Sequence, residues 1–191
     1  FLHARHAVHV QASVTQTVLA ATMTGPHEPL RVREFDPPVL EPFPLPSIGI
    51  VGTGKRVGKT AITAHAARLY ARDRKVVVVA MGRGGPPEPE VAKVAPDIDA
   101  LLELSRSGRH AASDYLETAA LAGVETVGCR RCGGGFAGSV SSSNVRQGAI
   151  LAVELAPDLV LFDGSGAAIP PIETRRRVLV VNAATDRDVA T

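Results

Sequence analysis

A chain of 191 residues, 45% hydrophobic and 21% charged, has the length and composition of a globular protein that buries one sizeable core. Its 21 basic and 19 acidic residues leave a formal charge of +2, which gives no bulk electrostatic reason to expect a nucleic-acid or membrane partner, so any basic site must be local. Two cysteines, Cys129 and Cys132, exclude a disulfide scaffold and suit a reducing cytoplasm, and the most apolar long window, 149–162, is interrupted by Glu154, Pro157 and Asp158 and cannot span a bilayer. No secretory signal pattern is visible, and a first residue Phe1 in place of Met leads to the expectation of a fragment or processed product.

Residues 1–23 read as the end of an N-terminal segment or domain, with Val8, Val10, Ala12 and Val14 alternating as in a strand with one buried face. His3, His6 and His9 recur every third residue, which invites a metal reading; with no acidic or cysteine partners, a solvated terminal segment is the simpler one. Residues 24–46 hold seven prolines and read as a Pro-rich linker. From residue 47 to 191, apolar runs of strand length alternate with helical stretches, the pattern of a three-layer α/β fold with a mainly parallel central sheet flanked by helices. Strands are expected at Ile48–Val51, Val76–Ala80, Glu125–Gly128, Leu159–Asp163 and Val178–Asn182. Helices are expected at Lys59–Arg72, Ile98–Arg106, Asp114–Ala122 and Val145–Ala156, the last capped by Ser143 or Asn144 and stopped by Pro157.

The first strand runs into Gly52-Thr53-Gly54-Lys55-Arg56-Val57-Gly58-Lys59-Thr60, a glycine-rich turn that opens a helix and reads as a phosphate-binding loop. Glycines let the backbone N–H groups converge on an anion, and the helix points its positive end at the same place. Lys59 would reach the β/γ-phosphates of a nucleotide, and the Thr60 hydroxyl would be a magnesium ligand. The strict spacing places a glycine where Thr53 stands, with Gly52 one position earlier.

In an open parallel sheet, ligands bind outside the carboxyl ends of the strands. Three further strand ends carry unusual chemistry here. The second strand leads to Arg83 among glycines, and the third leads to Arg130 and Arg131 ahead of Gly133, Gly134 and Gly135. The fourth ends in Asp163-Gly164-Ser165-Gly166, a pattern like a Walker B strand with a D-x-x-G turn, whose aspartate would hold magnesium opposite Thr60. Glycine-rich turns also serve simply to redirect a chain, and the three arginines could be solvated surface residues. Facing a shared cleft, their forked guanidinium groups would suit phosphate or carboxylate oxygens of a second substrate. Cys129 and Cys132 make half a zinc site and read as two unligated thiols in a loop; Arg175-Arg176-Arg177 reads as an exposed turn, with nucleic-acid binding a minor alternative.

Taken together, Val51–Thr60, Ala80–Pro86, His110–Glu117, Arg130–Gly135 and Asp163–Pro171 resemble the cyclic 2,3-diphosphoglycerate synthetase family, over about residues 47–184. The phosphate loop is more remotely similar to that of dethiobiotin synthetase; the partitioning ATPases of this loop class carry an extra lysine where Gly54 stands, with Lys55 one place off. The resemblance implies a P-loop NTPase fold, ATP and Mg2+ as cofactors, and a domain cut short at its C-terminus. It implies that ATP drives closure of an intramolecular phosphoanhydride in 2,3-bisphosphoglycerate. Lys59, Lys55 and Arg83 would then be catalytic, Gly52 to Thr60 would bind nucleotide, Arg83, Arg130 and Arg131 would bind substrate, and Thr60 and Asp163 would hold the metal. A homodimer is compatible with this. Two alternatives remain: another ATP-dependent ligase or kinase acting on a small anionic metabolite, and a nucleotide-controlled switch protein. Asn182 to Asp186 forms a guanine-reading N-x-x-D element only with its spacing wrong by one, which leaves ATP over GTP.

Overall fold

Seven successive residues, Val76–Gly82, are all buried, so this strand must lie in the interior of a sheet covered on both faces. In the computed structural model, residues 18–22, 31–35, 38–92, 99, 103, 106, 114–133 and 138–182 are described. The elements in chain order are β1 (Val18–Thr22), β2 (Arg31–Phe35), β3 (Glu41–Pro42), β4 (Ser47–Gly52), α1 (Lys59–Tyr70), β5 (Val76–Gly82) and β6 (Glu90–Ala92). There follow α2 (Asp114–Ala122), β7 (Thr126–Cys132), β8 (Ser142–Ser143), α3 (Val145–Glu154), β9 (Leu159–Asp163), β10 (Ile172–Glu173) and β11 (Arg176–Val180).

The main sheet has the order β11-β4-β9-β5-β7-β6, with β8 also on β7. From β11 to β7 every neighbouring pair is parallel; β6 and β8 pair antiparallel along the outer edge of β7. Strand alternation sorts β5 between two cores. Val76, Val78 and Ala80 join Ala64 and Ala67 of α1 and Ala119 and Ala122 of α2, while Val77, Val79 and Met81 join Val145, Ala149 and Ala152 of α3. These are the three expected layers. None of the helices among the described residues is long and apolar enough to cross a membrane.

Several expected boundaries move. The third strand extends four residues beyond Gly128, because β7 has partners on both sides, and Gly128 leaves room for the Tyr115 ring that packs over it. Arg176 and Arg177 belong to β11 and do not form a turn; they pair with Ile48 and Gly49 and remain exposed at the sheet edge. The proline-rich stretch is not a free connector. It contains β2, which pairs with β1, and β3, which pairs in parallel with β10. Phe43 then stands edge-on to buried Phe162, with ring centroids 5.0 Å apart at 89°. That contact helps anchor residues 41–46 on the core, with Phe43 itself half-buried against it. Val8–Val14 and the three N-terminal histidines lie outside the described residues, as does the tail after Asn182. Of the helix expected at Ile98–Arg106, Asp99, Glu103 and Arg106 are described, and all three are helical.

Candidate active site

The parallel strands deliver their carboxyl ends to one edge. α1 and α2, running back against them, bring their N-terminal turns to the same edge. Here a cleft of about 570 Å3 is lined by Lys55, Arg56, Gly58, Lys59, Thr60 and Ala61 of the loop and α1, Arg83 and Gly84 after β5, Glu117 of α2, and Asp163 to Gly166 at the end of β9. Four cations face two carboxylates in it.

The loop from β4 to α1 is shaped by close approach. A side chain at Gly52 would come within 2.7 Å of the Val57 methyl and 2.9 Å of the Lys59 stem, so only glycine lets Lys59 fold back over the strand. Lys59 is thereby buried, and its ammonium donates to the Gly54 carbonyl at 2.6 Å. Gly52, Thr53, Gly54 and Val57, also expected to bind nucleotide, are not among the residues lining the cleft, and Thr53 donates its N–H to the Val180 carbonyl at 3.2 Å, tying the loop to β11. Arg56 at φ 61 and Gly58 at φ 101 are left-handed, which turns the chain into the helix. α1 has neither a side-chain cap nor an acid in its first turn, so its N–H donors and positive end are directed to the cleft.

Asp163 is 3% exposed at the cleft end of β9, in register with Ile50 and Ala80. After it the chain makes a tight turn in which Ser165 and Ala168 exchange N–H···O bonds of 3.3 and 3.0 Å, with Gly166 at φ 61. Thr60 and Asp163 therefore meet across one cleft, a hydroxyl and a carboxylate offering the oxygen donors that suit magnesium.

Of the three arginines expected at a shared cleft, Arg83 lines it and the other two do not. Arg130 and Arg131 are consecutive on β7 and so project to opposite sides of the sheet, each taken up by carbonyls. Arg130 Nε donates to Gly85 O at 2.6 Å. Arg131, 2% exposed, donates from Nη1 to Gly133 O at 2.7 Å and from Nη2 to Ser165 O at 3.0 Å. Neither lines the cleft. The cysteines are likewise on β7 and not in a loop. Their odd spacing puts them on opposite faces, so they cannot chelate one ion together: Cys129 is buried, with burial pushing its thiol up to about 12, and Cys132 is exposed.

Glu117, placed by the sequence only at the end of the His110–Glu117 stretch and given no site role there, lines the cleft. The available signal was its place in the first turn of a helix that precedes a parallel strand, since that turn must lie at the ligand edge of the sheet.

Fold and site together define a P-loop nucleotide-binding domain. Residues 47–189 match the family described as cyclic 2,3-diphosphoglycerate synthetase, P-loop domain. The chain belongs to that family. Curated relatives named cyclic 2,3-diphosphoglycerate synthetase include proteins of Rubrobacter xylanophilus, 55% identical over 80% of this chain and 36% of the relative, and Methanothermus fervidus, 50% identical over 82% and 33%. A third, from Pyrococcus horikoshii, is 44% identical over 82% and 37%. The chain thus spans about a third of the length of these relatives. Among solved structures, LpxK from Aquifex aeolicus in complex with ATP overlaps 74% of this chain and 39% of that one at 19% identity with a TM-score of 0.49, too loosely for a comparison of sites.

Proposed function

We propose that this chain is the nucleotide-handling part of an ATP-dependent enzyme that converts 2,3-bisphosphoglycerate to cyclic 2,3-diphosphoglycerate, with release of ADP and phosphate. The observation that carries the reading is that Lys59, Thr60, Asp163 and Arg83 line one cleft in a chain of this family. Ring closure joins two phosphate groups of the acceptor through one oxygen. The oxygen lost in that condensation leaves in the phosphate, whose phosphorus comes from the γ position of ATP, so atoms balance without added water.

The physical obstacle is charge. Two unit like charges about 4 Å apart cost roughly 4 kcal/mol at an effective dielectric constant near 20, and ATP and a bisphosphorylated acid bring several such pairs together. Lys59 and the N–H groups opening α1 would hold the β/γ-phosphates, while Lys55 and Arg56 would add charge from the loop. Arg83, following β5, lines the cleft from outside the phosphate loop and would offer a forked donor for an acceptor phosphate or carboxylate. Thr60 and Asp163 would hold magnesium, which supplies charge neutralisation at the transferring phosphoryl group. An ionised phosphate is its own nucleophile and needs orientation more than a base. A small anionic acceptor also accounts for a cationic cleft better than a switch protein does, since a switch needs only the nucleotide.

Incubation of the full-length protein with ATP, magnesium and 2,3-bisphosphoglycerate, followed by phosphorus NMR, tests this. The expected result is a cyclic diphosphate formed in step with ADP. Intact ATP binding with no cyclic product would sink the assignment, and ADP release stimulated by a different acid would identify another ligase or kinase.

A further inference from the structure

β5 ends at Gly82, Arg83 and Gly84 line the cleft, and the chain then crosses to β6, which begins at Glu90. Pro86 and Pro87 have no N–H, so this crossing cannot extend the β6 ladder up the edge of β7. Its carbonyls must be met by donors from elsewhere. Arg130 Nε donates to Gly85 O at 2.6 Å, and Asn144 Nδ2 donates to Pro86 O at 3.1 Å and Pro87 O at 2.9 Å. Asn144 is itself fixed to β7, donating its backbone N–H to Arg130 O at 3.2 Å and accepting from Arg130 N through Oδ1 at 2.6 Å. It stands at the N-cap of α3, yet its side chain makes no capping bond, being committed to the Arg83 segment instead. Gly85 is pressed so closely on β7 that an added Cβ would lie 2.0 Å from Cys129 O.

We propose that Asn144 and Arg130 are positioning residues that clamp Gly85 to Pro87 against β7 and so hold Arg83 on the cleft wall. Between the last residue of β5 and the clamped Gly85 lie only Arg83 and Gly84, which leaves the guanidinium-bearing backbone little freedom of direction. An asparagine is required because one planar amide must accept from an N–H and donate to two carbonyls. Aspartate could do the first and would repel the other two. The consequence for acceptor binding rests on the reading that Arg83 meets the acceptor; the clamp itself does not.

The test is a double-mutant cycle in the full-length protein with a hydrogen-exchange readout. Asn144→Ala is expected to raise the acceptor KM on the order of tenfold, as loss of the bonds that orient a ligand-binding group does, with the ATP KM unchanged. Asn144→Asp should do the same. In an Arg83→Ala background the further effect should vanish, since there is no guanidinium left to place. Amide exchange at Arg83, Gly84 and Gly85 should quicken in Asn144→Ala. Unchanged exchange there, or a tenfold effect that persists without Arg83, would overturn the clamp. Quickened exchange with an acceptor KM indifferent to Arg83→Ala would leave the clamp standing and remove Arg83 from the acceptor site. Should Asn144→Ala fail to fold, Arg130→Met, which deletes the bond to Gly85, carries the same cycle and the same exchange criterion.

Discussion

Arg131 Nη2 donates to the carbonyl of Ser165 at 3.0 Å, reaching from β7 past β5 to the turn that follows Asp163. The same guanidinium donates to Gly133 O at 2.7 Å, so one buried cation fastens two strand-end loops together. Arg131→Met keeps much of the volume but leaves both carbonyls without this donor. It should destabilise the protein by roughly 2–4 kcal/mol and lower magnesium affinity through the displaced Asp163 turn. Denaturant unfolding and Mn2+ titration check the two effects. A substitution that weakened acceptor binding alone would return Arg131 to the substrate site.

The phosphate loop separates two glycines that look alike in sequence. Gly54 has open space where a Cβ would stand and an ordinary φ, whereas Gly58 also has open space but sits at φ 101. Gly58→Ala should therefore cost about 1–2 kcal/mol of stability from the backbone alone, and Gly54→Ala close to nothing. Thermal melts of the two variants without nucleotide decide it, and equal losses would contradict the loop conformation.

Cys129 and Cys132 should differ chemically. In native protein a thiol reagent should modify Cys132 and spare Cys129, which burial keeps protonated, with both reacting after unfolding. Burial raises the Cys129 thiol from 9.0 to about 12, so between these values the unfolded chain has lost a proton that the folded chain retains. The unfolded state then binds fewer protons, and stability falls as pH rises through that window. Cys129→Ala should reduce this alkaline slope, measured by denaturant unfolding on both proteins across the window.

Glu117 is an exposed carboxylate on the cleft wall, and its oxygens could take part in holding a magnesium ion that enters with ATP. Glu117→Gln should raise the magnesium concentration needed for half-maximal ATP binding several-fold while leaving the melting temperature of the protein alone nearly unchanged. If the magnesium titration does not move, Glu117 serves only as an acid favourable to the N-terminus of α2.

Local physics made much of the molecule legible in the sequence. The valine run of β5, the Leu159–Asp163 strand, the glycines before Lys59-Thr60 and the helix at Asp114–Ala122 announce themselves because hydrophobic period and turn chemistry depend on neighbours along the chain. Those same signals predict that the phosphate loop, Asp163 and Arg83 share one edge, since parallel strands must end together. What only the tertiary structure decided is where each polar side chain is used. Arg83, Arg130 and Arg131 carry the same charge and all follow apolar runs, yet one faces the cleft and two meet carbonyls more than thirty residues away in sequence. β7 runs on through Arg130 and Arg131 because β5 on one side and β6 and β8 on the other satisfy its backbone, partners that no local window contains. That the carbonyls of Pro86 and Pro87 take donors from Asn144, and that an N-cap asparagine is used for this and not for capping, depends on contacts fixed only when the sheet is assembled.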